Sequence, residues 1–303
     1  MTRPKTGLSI AINQTMASYY NGESLVEKQK TPEFSIKIAN TLEEREAAFR
    51  LGYKIYLEKG YISPNPNEWL IRNFDLNNDT VILIVRDKNK NIAATATLVF
   101  DGSSKLPAEK VYGEEIKGLK NSGLKTAELC RLAVSYDYRY SKEVLVLLFN
   151  YAAIYIHHVK KYDGLAIEVT PRHKNYYKAL LNFDEIGSAK PCPQVQNTVG
   201  VLLYLPATRY QETISRCGGK AMELKKERSL YPYFLKAEQE NLVAHYLQKQ
   251  VKPMSADEKI YFWLIGIRHK PRCLCINFRK TKIFHHRDTE STENLRKIKK
   301  LSY

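Results

Sequence analysis

VILIVRDKNKNIAATATLVF, residues 81–100, reads as two strands joined by a turn. Val81 to Asp87 is apolar at consecutive positions, so a strand there needs cover on both faces; Asn91 to Phe100 is rich in β-formers. Lys88, Asn89 and Lys90 turn the chain between them. A hairpin of this kind belongs in the middle of a sheet.

Outward from the hairpin the same alternation continues. FSIKIA (34–39) alternates like a strand, and Thr41 with Glu44 makes a capping-box pattern ahead of Leu42, Phe49, Tyr53 and Tyr56 on one helical face. Downstream, after a Gly- and Lys-bearing excursion, we expect a strand over Ala127 to Ser135 and a helix from about Ser141 to Lys160. A strand over Gly164 to Thr170, a helix from near His173, and strands around Ile186 and Val199 to Leu205 complete the pattern. The order β-α-β-β then β-α-β-α-β-β implies an α/β fold, a mixed central sheet flanked by helices.

Four segments are expected: an N-terminal arm over 1–33, the α/β domain over 34–206, a C-terminal helical extension over 207–270 and a basic tail over 271–303. In the extension, ETISRCGGKAMELKKER, FLKAEQENLVAHYLQK and DEKIYFWLIGIRHK read as helices broken at Pro232 and Pro253.

The 48 basic against 32 acidic residues leave a net charge of +16, which favours a polyanionic partner: nucleic acid, anionic lipid or an acidic carrier protein. Five scattered cysteines indicate neither a disulfide framework nor a zinc ribbon, no metal site is expected, and a reducing cytoplasm suits them. MTRPKTGLSIAINQ lacks the apolar region of a signal peptide, and Val144 to Ile156 is too short for a membrane span.

AAFRLGYKIYLEKGYI (47–62), NFDLNNDTVILIVRD (73–87), AELCRLAV (127–134) and EVTPRHKNYYKALLNFDEIG (168–187), in this order, resemble the long-chain N-acyl amino acid synthases. Those enzymes share the acetyltransferase-like (GNAT) fold with the acyl-homoserine-lactone autoinducer synthases. The resemblance covers nearly all of 34–206. It implies an N-acyltransferase that takes a fatty acyl group from phosphopantetheine on acyl carrier protein, or from acyl-CoA, with no permanently bound cofactor, and joins it to the α-amine of an amino acid such as tyrosine.

On the same resemblance, Glu128 and Arg131 are the catalytic candidates: Glu128 to accept the amine proton, Arg131 to hold the substrate or fix that carboxylate. Residues three apart on a regular strand point to opposite faces, so both serve one site only if the strand is bulged, which would also free a backbone N–H near Leu132 to Val134. Without that context the two are an ordinary ion-paired Glu and Arg. Arg50 and Asp75 match polar positions of the autoinducer synthases, Arg50 as a clamp for the acceptor carboxylate. His173 opens a helix and is either a base or a cap.

Ser141 begins a helix whose free N–H groups suit a phosphate, with Arg139 and Lys142 beside it; a solvated helix start is the plainer reading. The Gly-rich phosphate loop of acetyltransferases is replaced here by SYDYRYSKE, a departure that favours a carrier protein over coenzyme A. Cys130 reads as buried and inert. The alternatives are an acyl-CoA-dependent N-acyltransferase acting on another amine, or a basic nucleic-acid-binding protein. The second lacks any helix-turn-helix, zinc-knuckle or RNP signature.

Overall fold

The computed structural model describes residues 33–268 except Ser103. Apart from Glu33, the expected N-terminal arm and basic tail lie outside the described residues.

Seven strands form one sheet: β1 Phe34–Ile38, β2 Val81–Asp87, β3 Ile92–Phe100, β4 Thr126–Val134, β5 Gly164–Val169, β6 Asp184–Cys192 and β7 Thr198–Pro206. Their spatial order is β1-β2-β3-β4-β5-β7-β6, antiparallel except for the β4–β5 pair. The 81–100 hairpin lies inside the sheet, with Leu83 facing Ala96. Its consecutive apolar residues serve two faces. Leu83 and Val85 enter the same cluster as Leu148 and Phe149 of α3 (Lys142–Ile154), whereas Ile82 and Ile84 pack with Phe49 of α1 (Leu42–Glu58). This is the mixed, doubly covered GNAT-like sheet expected from the sequence.

Local signals explain most element ends. The Thr41 hydroxyl accepts from the Glu44 N–H at 3.3 Å, but the Glu44 carboxylate reaches back to the Asn40 N–H at 2.9 Å and to Lys37 and Arg86, so the expected capping box is half made. Ser141 caps α3 by accepting from the Val144 N–H. Pro171 opens α4 (Pro171–Leu181), which ends at Asn182 in the left-handed conformation, φ 58°.

Two helical expectations are corrected. The excursion after β3 contains a helix, α2 (Gly113–Asn121), only nine residues long and burying Ile116. The helix expected through Arg228 stops at Cys217: α5 is Ala207–Cys217, and a Cβ on Gly218 would stand 2.6 Å from the Leu235 carbonyl oxygen, while Gly219 takes φ +70°.

The C-terminal helices extend the domain as expected, and they do so by joining its core. Tyr210 of α5 and Val243 and Leu247 of α6 (Ala237–Gln250) belong to the main apolar cluster. Asn150 of α3 donates to Glu240 of α6 at 2.8 Å, and Tyr210 donates to the same carboxylate at 2.5 Å. On the opposite face, Phe262 of α7 (Ala256–Phe262) meets Phe49 edge-on at 5.1 Å. Among the described residues no helix is long and apolar enough to cross a membrane.

Candidate active site

β4 and β5 run together for three pairs only, the last being Glu128 with Ala166. Where they part, a cavity of about 430 Å³ is lined from β4, β5 and the start of α4. β4 changes register against β3 at the same level. Thr97 faces Cys130 and Thr95 faces Ala133, so Ala96 stands opposite both Arg131 and Leu132. Arg131 takes φ +55°, uncommon for a side-chain-bearing residue and typical of a bulge. The extra residue restores the phase that a regular strand would deny, and Glu128 and Arg131 both line the cavity.

Glu128 is 2 % exposed. The Ala108 N–H, in the turn Pro107–Lys110, donates to its Oε2 at 2.8 Å. Burial pushes its carboxyl up to about 8; the Ala108 bond opposes this, and the neighbouring Glu168 and Glu109 add to it. Glu168, two residues beyond the Ala166 partner, lines the same cavity. Burial raises its pKa as well, against a hydrogen bond from the Cys192 thiol. Gly200 makes room for it, since a Cβ there would lie 2.4 Å from Glu168 Oε1.

Arg131 does not fix the Glu128 carboxylate, as one expectation had it; its carboxylate is that of Asp75. Nη1 donates to Asp75 Oδ2 at 2.6 Å and to the Leu70 carbonyl at 2.8 Å, Nη2 to Asp75 Oδ1 and to Thr97 Oγ1. The guanidinium also faces the rings of Phe49 and Phe74. Burial works against its charge, but the Asp75 carboxylate prevails and raises its pKa. Asp75 is 1 % exposed and does not line the cavity; it holds Arg131 from behind the wall.

Val134 and His173 line the cavity. His173 sits at its exposed rim, Nδ1 3.1 Å from Thr170 Oγ1, with its pKa lowered by burial and by Arg172 and Lys59. Arg50 is not brought there: it is exposed and lies over the Trp69 ring at 5.4 Å. Arg139, Ser141 and Lys142 are not brought there either. Arg139 stacks on Tyr136 and Tyr140, the Ser141 hydroxyl is used as a helix cap, and the Lys142 ammonium lies 3.3 Å from the Tyr233 ring centre. Cys130 lines the cavity rather than the core, but burial and Glu128 raise its thiol pKa, which makes it the poor nucleophile expected. Leu148 and Phe149 fill the core.

Sequence reasoning missed Glu168, Tyr56 and Arg72, which also line the cavity. A carboxylate closing the apolar run GLAIEV was a usable signal for Glu168; Arg72 stands in an aperiodic connection and gave none.

A family model for the N-acyl amino acid synthase FeeM matches residues 47–206, more than half of the chain. The chain belongs to this family. FeeM, an N-acyl amino acid synthase from uncultured soil microbes, has a similar structure at 23 % identity, with 60 % of this chain and 94 % of that one covered and a TM-score of 0.53. The AHL synthase LasI matches at 14 % identity over 57 % of this chain and 90 % of its own, TM-score 0.46. An acyl-CoA N-acyltransferase from Pseudomonas aeruginosa matches at 14 % over 56 % and 97 %, TM-score 0.41. None of the curated proteins compared matches the chain. As a FeeM-family member with a GNAT-like fold, the chain is an N-acyltransferase that draws on an activated acyl donor.

Proposed function

We propose that this FeeM-family chain moves a long-chain fatty acyl group from the phosphopantetheine thioester of acyl carrier protein to the α-amine of an amino acid such as tyrosine. The observation that carries this reading is Glu128, a carboxyl buried in the cavity wall and pushed up by that burial to about 8. Such a group is matched to an ammonium, which must lose a proton before it can attack. Side chains such as Leu129, Leu132, Ile167 and Val169 give the cavity walls suited to an acyl chain.

In this mechanism Glu128 takes a proton from the bound ammonium. The freed amine attacks the thioester carbonyl carbon, the new C–N bond forms, and the C–S bond breaks. The departing sulfur takes the second amine proton, leaving an amide and a free thiol. While the tetrahedral oxyanion exists it needs a donor, and a backbone N–H of the β4 bulge, near Leu132 to Val134, is the candidate for it in this reading. Arg131 acts through position: held by Asp75 and Thr97, it sets the bulge.

Exposed Lys59 and Arg172 at the cavity rim suit the phosphate of phosphopantetheine and an acidic carrier, in place of Arg139, Ser141 and Lys142. The test is thiol release by the full chain with hexadecanoyl-acyl carrier protein or hexadecanoyl-coenzyme A, plus L-tyrosine. We expect faster release from the carrier protein; equal rates from both donors contradict the carrier assignment, and no release from either contradicts the reaction.

A further inference from the structure

We propose that Arg72 is the receptor for the acceptor's carboxylate and that a second cavity beside the first takes the acceptor's side chain. The inference rests on the amino-acid acylation reading above and adds how the acceptor is chosen.

The second cavity, of about 510 Å³, shares Tyr61, Leu70, Arg72 and Gln194 with the first. Arg72 therefore stands at the seam. Its backbone N–H donates to Asp75 Oδ2 at 2.6 Å, which pins the turn and leaves the side chain to the cavities. Among the described residues that side chain makes one hydrogen bond, from Nη2 to the Gln194 carbonyl at 3.2 Å, a neutral partner. Among the described residues it has no ion pair within 4.0 Å, while the nearby Asp75 is gripped through both oxygens by Arg131. Burial and the Arg131 charge work against the Arg72 cation and outweigh the support it receives from the Asp75 charge. A half-buried guanidinium with no carboxylate paired to it directly is stabilised by an anion that enters, and its planar fork fits a carboxylate.

The other basic groups do not compete for this role. Arg131 is paired, Lys59 and Arg172 are exposed at the rim of the first cavity, and Lys110, which lines the second, is exposed as well. Arg50, the clamp expected from sequence, lies outside both cavities.

An α-amino acid carries amine, carboxylate and side chain on one carbon, and the seam offers a separate destination for each. The carboxylate meets Arg72, the amine turns into the first cavity toward Glu128, and the side chain enters the second cavity between Tyr61, Trp69 and Ile71. Those walls suit a large aromatic or apolar side chain.

The test compares L-tyrosine with tyramine, which keeps the amine and ring but lacks the carboxylate, using the full chain and hexadecanoyl-acyl carrier protein. Wild type should favour tyrosine by on the order of 10²-fold in kcat/KM, the scale of a lost charge-assisted pair. Arg72→Met should bring the ratio to about 1, mainly through KM for tyrosine, and Arg72→Lys should fall between. A wild-type ratio near 1, an unchanged ratio in Arg72→Met, or loss of both activities in Arg72→Met with Arg72→Lys keeping the wild-type ratio overturns the proposal. If wild type acylates tyramine but no amino acid, the amino-acid reading itself falls, a result distinct from failure of Arg72 alone.

Discussion

The Arg131 guanidinium holds both oxygens of the Asp75 carboxylate, from a bulged strand to a turn 56 residues earlier in the chain. The pair joins β4, the strand that carries Glu128, to the turn that bears Arg72. Breaking a buried ion pair from one side leaves an uncompensated charge, a loss of about 3–5 kcal/mol. Asp75→Ala should therefore lower stability by that amount. Asp75→Leu combined with Arg131→Met should cost less than the sum of the two single changes, as read by urea unfolding.

Glu128 gives a pH prediction with a definite sign. Its folded pKa of about 8 lies above the usual carboxyl value, so the folded state holds the proton more tightly. This contribution is favourable at low pH and is lost as pH rises from the unfolded value toward 8. Glu128→Gln removes the penalty and should be more stable than wild type at pH 9, by on the order of 3 kcal/mol. Turnover in wild type should rise with pH toward about 8. In Glu128→Gln it should fall by roughly 10²–10⁴-fold and lose that rise.

Gly200 faces Glu168 so closely that a methyl group has no place. Gly200→Ala should cost about 1–3 kcal/mol through the clash with the carboxyl. Adding Glu168→Ala should recover most of it, a non-additivity measurable in thermal melts of the single and double variants.

Glu240 tests whether the C-terminal helices belong to the catalytic unit. It is 1 % exposed and accepts from Asn150 and Tyr210, with His158 Nε2 at 3.1 Å. Glu240→Ala strands these groups and should cost about 1–3 kcal/mol. Thermal unfolding should remain a single transition, because the helices and sheet share one core.

The fold was legible because its evidence is local and periodic. The apolar hairpin 81–100 and the helix start at Ser141 both act within a few residues of the chain. Resemblance pointed to Glu128 and Arg131, and the bulge that brings both to one cavity followed from asking how two residues three apart reach one face. The partner of Arg131 was not legible, since Asp75 is distant in sequence and reaches it only through tertiary packing. Arg50 and Arg72 show the same limit. Both are arginines on the chain between β1 and β2, and only the packed structure distinguishes the one on Trp69 from the one at the seam of two cavities.

The most direct test is mass spectrometry of lipid extracts from cells expressing the full chain, its Glu128→Gln variant or an empty vector. A long-chain N-acyl amino acid present with wild type and depleted by roughly 10²-fold or more with Glu128→Gln is the predicted result. Equal amounts of product from wild type and Glu128→Gln, or no such product from folded wild type, would contradict the account.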